Sequence, residues 1–292
     1  MGFRFVSTTL LRNVALTMFE WIKSGFGPAI RIALLLACVF QPIALPAESV
    51  AVRYREGVGH GFLVLRTRDG KPLADGDSTQ VVRGDLVTSK MSFKFTDGSV
   101  YEETTIFSQR GTFQLLKDHV VEKGPQFKPP METSIDATTG QVTVRYTDDH
   151  GNEKVLTEKL ALPPDVANGM LFTLLKDVEP RVPQTTVSYV AVTPKPRLVH
   201  LNIIPQNQVP FSIGNHTHKA TRYLITVKIG GLAGLIAPLV GKKPPNMEAW
   251  VLAEGAPAFV RYDGPLYSDG PTWRMELAIP AAWPSSAANS QQ

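Results

Sequence analysis

Apolar and polar residues alternate with a period of two along most of the chain after residue 48. This pattern indicates β-strands with one buried face, because successive side chains of a strand point to opposite sides of a sheet. One clear run, 87–95, ends at the hairpin-type turn Asp97-Gly98. Turns also separate the other runs, which favours an antiparallel meander. The same pattern predicts strands at 50–55, 61–68, 100–107, 112–121, 141–146, 153–160, 187–192, 198–204, 223–229, 248–253, 258–262 and 273–279.

Two segments lack this alternation and are predicted to be helical. Over 163–177 apolar residues recur at helical spacing, and proline and an acidic residue stand in the first turn. The segment 230–241 is apolar on every side and too short to span a bilayer. It is either a helix packed inside the sheet or a mobile lid over an apolar cavity. We therefore predict a mainly β fold, in which a curved, half-barrel-like antiparallel sheet packs around two short helices.

Polar and proline-rich stretches divide the strands from one another. They predict loops at 123–130, 178–186, 193–197 and 205–217. The last residues, 284–292, are polar and small and are expected to form a disordered tail. The simplest organisation is a signal peptide at 1–47, a single antiparallel β-rich domain at 48–283, and the tail.

The layout of residues 1–47 is typical of an export signal. Arg31 precedes the apolar run 32–40, and small residues lead to Ala47. A positive region, a short apolar core and a small residue before the cut suit signal peptidase. We expect cleavage before Glu48 and a periplasmic or secreted mature protein, with translation starting at Met1 or at Met18.

Cys38 leaves a second interpretation of the signal open. The preceding Leu-Leu-Ala resembles a bacterial lipoprotein box, which would make Cys38 a lipidated first residue and anchor the protein to a membrane. Cleavage before Glu48 would instead remove the only cysteine of the chain. The mature protein would then have no thiol for catalysis or for metal binding.

The basic composition of the whole chain also depends on the signal. Residues 1–47 hold four of the 30 basic residues but one of the 26 acidic residues, so the remainder is nearly neutral. It contains no dense patch of lysine and arginine interleaved with aromatic residues. Nucleic acid is therefore not expected as a partner.

Sequence motifs for catalysis are missing. There is no G-x-S-x-G, no H-E-x-x-H and no phosphate-binding loop, so we assign no catalytic residue and no cofactor. His216 and His218 form the one metal-like pattern, because residues two apart on a strand share a face. A metal-dependent enzyme using this pair is a third candidate function, although no third ligand can be assigned from the sequence and the pattern is more simply explained by exposed loop histidines.

The C-terminal third carries a family resemblance. The succession of Lys219–Tyr223, the Gly-rich segment with Lys242 and Pro244-Pro245, Trp250 and Trp273-Arg274 resembles an uncharacterised family of exported bacterial proteins. With the order of strands and helices upstream, the chain is also similar to the lipoprotein-carrier half-barrel, in which a sheet curls around helices and an apolar cavity. This resemblance implies a role in the cell envelope and brings no catalytic residues with it.

A binding site is expected on the concave face of the sheet, between the sheet and its helices. The first candidate function is an exported envelope protein that binds an apolar ligand or lipid there. The alternative is a structural or interaction protein of the envelope with a filled core, which meets a partner protein through loops such as 205–217. The residues predicted to line the cavity are Leu232, Leu235, Ile236, Leu239, Phe172, Trp250 and Phe259.

Overall fold

A computed structural model describes residues 49–213, 215–228, 244–278 and 281–282. These residues belong to the unit Ala47–Gln292. The predicted signal peptide at 1–47, the apolar segment 230–241 and the predicted tail at 284–292 lie outside the described residues. The structure therefore tests the sheet and the helix predicted at 163–177.

The described chain is mainly β, with one short helix, α1, at Leu171–Asp177. Antiparallel pairing joins all the strands in one sheet. The strands are β1 Gly59–Arg66, β2 Pro72–Arg83, β3 Leu86–Phe95, β4 Val100–Arg110, β5 Thr112–Lys123, β6 Met131–Asp136, β7 Gln141–Thr147, β8 Glu153–Lys159, β9 Thr185–Thr193, β10 Lys195–Ile213, β11 His216–Lys228, β12 Met247–Leu252, β13 Phe259–Pro265, β14 Thr272–Leu277 and β15 Ala281–Ala282.

The meander predicted from the sequence is confirmed, with one long-range junction. Fourteen strands follow the order β15-β10-β11-β12-β13-β14-β1-β2-β3-β4-β5-β6-β7-β8, and β9 pairs with β10 beside this path. The junction is the pair β1–β14, where Leu63 faces Leu277. Glu158 of β8 comes within 4.0 Å of Lys195 of β10, so the sheet curls until its two ends approach. Within the described residues no ladder joins β8 to β9, and the sheet is not closed.

The helix predicted over 163–177 is shorter than expected, because residues 163–170 are not helical and lie along β9. We call this segment the seam. Asp165 accepts hydrogen bonds from the backbone N–H and the hydroxyl of Ser188, at 2.9 and 3.0 Å. Asn168 donates to the Val190 carbonyl at 3.0 Å and accepts from the Val190 N–H at 2.8 Å. These side chains replace the bonds of a missing strand, and Gly169 then turns the chain at φ +64° before α1 begins. In the described ranges no helix is long and apolar enough to cross a membrane.

The predicted loop at 205–217 is wrong for most of its length, because β10 continues to Ile213 and β11 begins at His216. Prolines at 205 and 210 misled the prediction. Pro205 lies at a register shift of the β10–β11 ladder. Both prolines also lie beyond the stretch that β9 covers, which ends at Ile203. A proline without an N–H is tolerated at such positions.

The predicted strand at 50–55 is also wrong, since this stretch contributes one isolated pair, Ala51 with Thr112. The stretch from residue 50 to residue 56, here called the strap, is held in place by hydrogen bonds that its backbone N–H groups donate. The N–H groups of Arg53 and Tyr54 donate to Asp177 at 2.6 and 2.7 Å. The N–H of Glu56 donates to the Gln109 side chain at 2.7 Å. The strap therefore ties the end of α1 to β4.

The main core lies on the concave side of the sheet. Phe93, Phe107, Phe113 and Phe127 are among the largest fully buried side chains. Phe127 meets the ring of Phe95 edge-on, with 5.5 Å between ring centroids. This packed region ends where smaller side chains take over, and there the interior opens.

Candidate ligand cavity

A cavity of about 440 Å³ lies between α1 and the concave face of the sheet. Its residues come from β1, β2, β3, β4, α1, β9, β13 and β14, from the segment that precedes α1, and from the segments that precede and follow β13. Ligand pockets in proteins commonly have volumes of about 300–1,000 Å³. The volume therefore suits a small ligand or one short apolar chain.

Small and polar residues on the inward face of three neighbouring strands create this space. Gly61 of β1 faces Ser78 of β2, and Gly59 faces Gln80. Gln80 faces Ser89 of β3 in turn. Large apolar residues at these positions would fill the interior, as Phe93 does further along β3. The floor of the cavity is therefore built from glycine, serine and glutamine in place of large apolar residues.

Aromatic and aliphatic side chains form the opposite, apolar wall. The ring of Phe172, on α1, lies 4.7 Å from the ring of Phe259 and 5.1 Å from that of Tyr262. The remaining apolar lining residues include Leu63, Met91, Leu171, Leu266, Met275 and Leu277. This wall offers contacts to an apolar group, and the residues named for it carry no charge.

The polar wall consists of Tyr101, Glu103 and Thr105, which β4 directs inward. Their partners across the ladder are residues 122, 120 and 118 of β5, in that order. Two of those partners are acidic, so three carboxyl groups share one interior region. Glu102, next in sequence, is exposed on the opposite face of β4.

A bulge in β5 decides which of its side chains point inward. Leu115 pairs with Phe107 and Lys117 pairs with Ile106, so Leu116 is an extra residue in the ladder. An extra residue shifts the alternation of a strand by one position. After the bulge Asp118 and Glu122 face the interior, whereas a regular strand would direct Lys117 and the residues two and four further on inward.

Burial changes the acidity of these carboxyl groups. Burial raises the pKa of Glu103 well above its ordinary value, and the charge of Asp118 adds to the effect. Burial likewise raises the pKa of Asp118 to about 6, although the hydrogen bond from Thr105 lowers this pKa. That bond is 2.9 Å long. The pKa of Glu122 rises to about 7, again because of burial.

Gly169 closes the cavity next to the Thr105–Asp118 pair. A Cβ atom at residue 169 would lie 1.9 Å from the Thr105 hydroxyl oxygen and 2.7 Å from an Asp118 carboxylate oxygen. Both side chains are buried. The backbone of the seam thus rests directly on the polar wall.

Lys176 is the lysine that lines the cavity in the described structure, and it is already paired. Its ammonium group contacts the Glu56 carboxylate. Glu56 also accepts a hydrogen bond of 2.7 Å from the Gln80 side chain. The cation at this side of the cavity is therefore neutralised by the protein itself.

Asp165, Ser188 and His200 lie close together but do not form a hydrolytic triad. The Ser188 hydroxyl lies 3.4 Å from His200 Nδ1 and donates to Asp165, and the residue has no exposed surface. In a triad the carboxylate orients the histidine, and the serine is open to substrate. Here the carboxylate binds the serine, so the group fastens the seam to β9.

The sequence-predicted site residues have different locations. Phe172 and Phe259 line the cavity. Trp250 does not, because it lies on the other face of the sheet, where the Arg261 guanidinium is 4.4 Å from its ring centroid. The remaining predicted residues, Leu232, Leu235, Ile236 and Leu239, lie outside the described residues, and their part in a site stays a prediction.

His216 and His218 lie two residues apart at the start of β11 and therefore on the same face of the strand. The ring of His218 lies 5.7 Å from that of Phe211. No group of three or more histidine, cysteine, aspartate or glutamate side chains is placed to hold a metal ion in the part of the chain that the structure describes. None of the described residues therefore supplies a third ligand to this pair.

Sequence reasoning missed Glu103, Tyr101, Tyr189 and the glycine and serine floor. One signal was available, since Gly59 and Gly61 stand two apart in a strand and leave its inward face without side chains. The other residues required the pairing register, because Glu103 lies 15 residues before Asp118 and meets it only across the β4–β5 ladder.

Comparisons with known proteins give one structural likeness. No protein-family model matches the chain, and no curated protein sequence is similar to it. A crystal structure of a β-barrel-like protein of the domain of unknown function DUF1849 from Brucella abortus is similar to the fold, with a TM-score of 0.43 and 10% sequence identity. The match covers 80% of this chain and 100% of the other. The resemblance to exported bacterial proteins and to lipoprotein carriers stays a prediction.

Proposed function

We propose that the protein is a non-enzymatic exported protein of the cell envelope that binds an apolar ligand or lipid inside the curved sheet. The cavity of about 440 Å³ carries this proposal. Its apolar wall, with Phe172, Phe259 and Met275, would replace water around a hydrocarbon group. The inward glycines and serines leave room that a solid core would have filled.

A filled cavity is expected to abolish binding of an apolar probe. The probe is N-phenylnaphthylamine, an uncharged fluorophore whose emission rises in apolar surroundings. Gly61→Leu adds a side chain directed at the cavity, and its Cβ would lie 3.7 Å from Leu277, which is ordinary contact. We expect the variant to bind the probe at least about tenfold more weakly, a change of about 1.4 kcal/mol.

Gly57→Leu is the matched control. Gly57 lies outside the cavity lining, and a Cβ there would meet no atom within 4 Å. The control is expected to bind as the unchanged full-length chain does. Absence of probe binding by the unchanged chain, or equal binding by both leucine variants, would overturn the proposal. Urea unfolding of each variant shows whether lost binding reflects lost folding instead.

The proposed location has its own experiment. The protein isolated from cells that make it is expected to begin at Glu48 and to be released with the periplasmic or secreted fraction. N-terminal sequencing and intact mass measure this. A lipidated Cys38 at the N-terminus would establish the membrane-anchored alternative, and an intact Met1 or Met18 terminus would contradict export.

A further inference from the structure

We propose that the ligand is a cationic amphiphile, whose apolar chain lies against Phe172 and Phe259 and whose amine binds at Glu103. This inference rests on the proposed function and adds the chemical class and the orientation of the ligand. It follows from the charges, the hydroxyl groups and the aromatic rings around one part of the cavity.

Glu103 is the carboxyl group that lines the described cavity. The side chain is half-buried, and its remaining open surface lies on the cavity. Among the described ion pairs none includes Glu103, Asp118 or Glu122, so no lysine or arginine of the described residues lies within 4.0 Å of these carboxyl groups. The charge of His119 acts on Asp118, but the His119 ring is itself paired with Glu132.

Hydroxyl groups surround the same position. Tyr101 is buried, lies on β4 beside Glu103 and interacts with its carboxyl group. Tyr189, on β9, lines the cavity, and its hydroxyl has no hydrogen-bond partner among the described residues. An unpaired hydroxyl that faces a cavity is available to a polar ligand group. Two tyrosines and one carboxyl group therefore present acceptors for an ammonium with three N–H donors.

Aromatic rings favour the same charge. Tyr101, Tyr189 and Tyr262 line the cavity together with the two phenylalanines of the apolar wall. The faces of aromatic rings attract cations, and this attraction is stronger where water is excluded. An anionic head group would instead meet Glu103, with the carboxyl groups of Asp118 and Glu122 on the neighbouring strand. The one lysine that lines the described cavity is paired with Glu56, and His60, which also lines it, is paired with Asp77. Neither base is therefore available to an anion.

The protonation of Glu103 predicts how binding depends on pH. Burial first, and then the charges of Asp118 and Glu122, raise the pKa of Glu103 well above its ordinary value. Tyr101 and Thr105 of β4, Tyr189 of β9 and Tyr262 of β13 also face this region and carry no positive charge. The basic groups that line the cavity are His60 of β1, which is paired with Asp77, and Lys176 of α1, which is paired with Glu56. An ammonium ligand ionises Glu103 and displaces its proton to solvent, so affinity for the amine rises with pH.

The test compares three ligands with the same ten-carbon chain: decylamine, decanol and decanoate. Each displaces N-phenylnaphthylamine from the full-length chain at pH 6 and pH 8. We expect decylamine to bind at least about tenfold more tightly than decanol at pH 8, and decanoate to bind more weakly than both. The advantage of decylamine is expected to shrink at pH 6, whereas binding of decanol stays unchanged.

Two variants locate the charge. Glu103→Gln is expected to remove the advantage of decylamine and to leave binding of decanol within about threefold, which also shows that the variant is folded. Glu102→Gln, on the opposite face of the same strand, is expected to change neither. Equal binding of decylamine and decanol, or an unchanged advantage in Glu103→Gln, would overturn this inference while the proposed function stands. Failure of all three ligands and of the probe would overturn both.

Discussion

Gly169→Ala is expected to lower the free energy of unfolding by about 3–5 kcal/mol. This loss is the sum of two terms, the cost of a left-handed backbone at a non-glycine residue and the cost of a steric clash. The first term arises because residue 169 has φ +64°. The second arises because the new methyl group would lie 1.9 Å from the Thr105 hydroxyl oxygen. Thr105 is 1% exposed and hydrogen-bonded to Asp118, so it has little room to move.

Gly151→Ala separates these two terms. Gly151 has φ +81°, but a Cβ there would meet no atom within 4 Å. Only the backbone term remains, and we expect a loss of about 1–2 kcal/mol. Urea unfolding of both variants measures the difference. Equal losses for the two variants would contradict the close packing of the seam on the polar wall.

A double variant tests whether Thr105 is the obstacle. Thr105→Ala removes the two Thr105 atoms that the new methyl group would meet and leaves the Asp118 carboxylate oxygen at 2.7 Å. It also costs the hydrogen bond to Asp118. Gly169→Ala combined with Thr105→Ala is expected to cost less than the sum of the two single changes, because neighbouring residues are coupled. Additive losses would place the clash elsewhere.

The protein is expected to lose about 2–3 kcal/mol of stability between pH 5 and pH 8 on account of Glu122 alone. Burial raises the pKa of Glu122 to about 7 in the folded protein. Between the ordinary pKa of glutamate and this value, the folded state keeps a proton that the unfolded state releases. Stability is therefore full below the unfolded pKa and falls as the pH rises towards the folded pKa.

Other carboxyl groups affect stability at higher pH and in strong acid. Glu103 and Asp118 have raised pKa values because of burial, and they add to the loss at higher pH. Burial raises the pKa of Asp263 too, but hydrogen bonds from Arg261 and Arg274 outweigh it and hold the pKa below its ordinary value. Asp263 therefore contributes stability that is lost in strong acid, and we expect maximal stability near pH 5.

Glu122→Gln provides the direct measurement. At pH 5 the neutral amide and the protonated carboxyl group are nearly equivalent in the folded protein. At pH 8 the variant avoids a buried charge and is expected to be more stable than the unchanged chain by about 2–3 kcal/mol, from urea midpoints. Glu153→Gln, at an exposed position of β8, is expected to have no such effect. A destabilised Glu122→Gln at pH 8 would mean that the ionised carboxylate has a partner.

The sequence predicts strands well where their inward residues are large and apolar. β3 has Val87, Phe93 and Phe95 buried, and its alternation is plain. β2 was missed because its inward residues include Gly76, Ser78 and Gln80, which make Asp75-Gly76-Asp77-Ser78 look like a turn. Two of these residues, Ser78 and Gln80, line the cavity. The residues that make the site are therefore those that weaken the strand pattern.

The polar wall could not be predicted from the sequence for a different reason. The alternation places Glu102 and Glu103 on opposite faces of β4, and the structure agrees. The bulge at Leu116 is not visible in that alternation, yet it determines that Asp118 and Glu122 face inward. A shift of one residue reverses every side chain that follows, so the chemistry of the interior depends on the register of a single ladder.

Asn168 and Asp165 also keep β9 from acting as a template for other molecules. One edge of β9 pairs with β10, and the seam occupies the backbone groups of Ser188 and Val190 on the other. An edge strand with free N–H and C=O groups recruits strands of other chains and promotes aggregation. Two polar side chains, outside any strand, thus cover the free edge of β9 in a sheet whose described strands do not close.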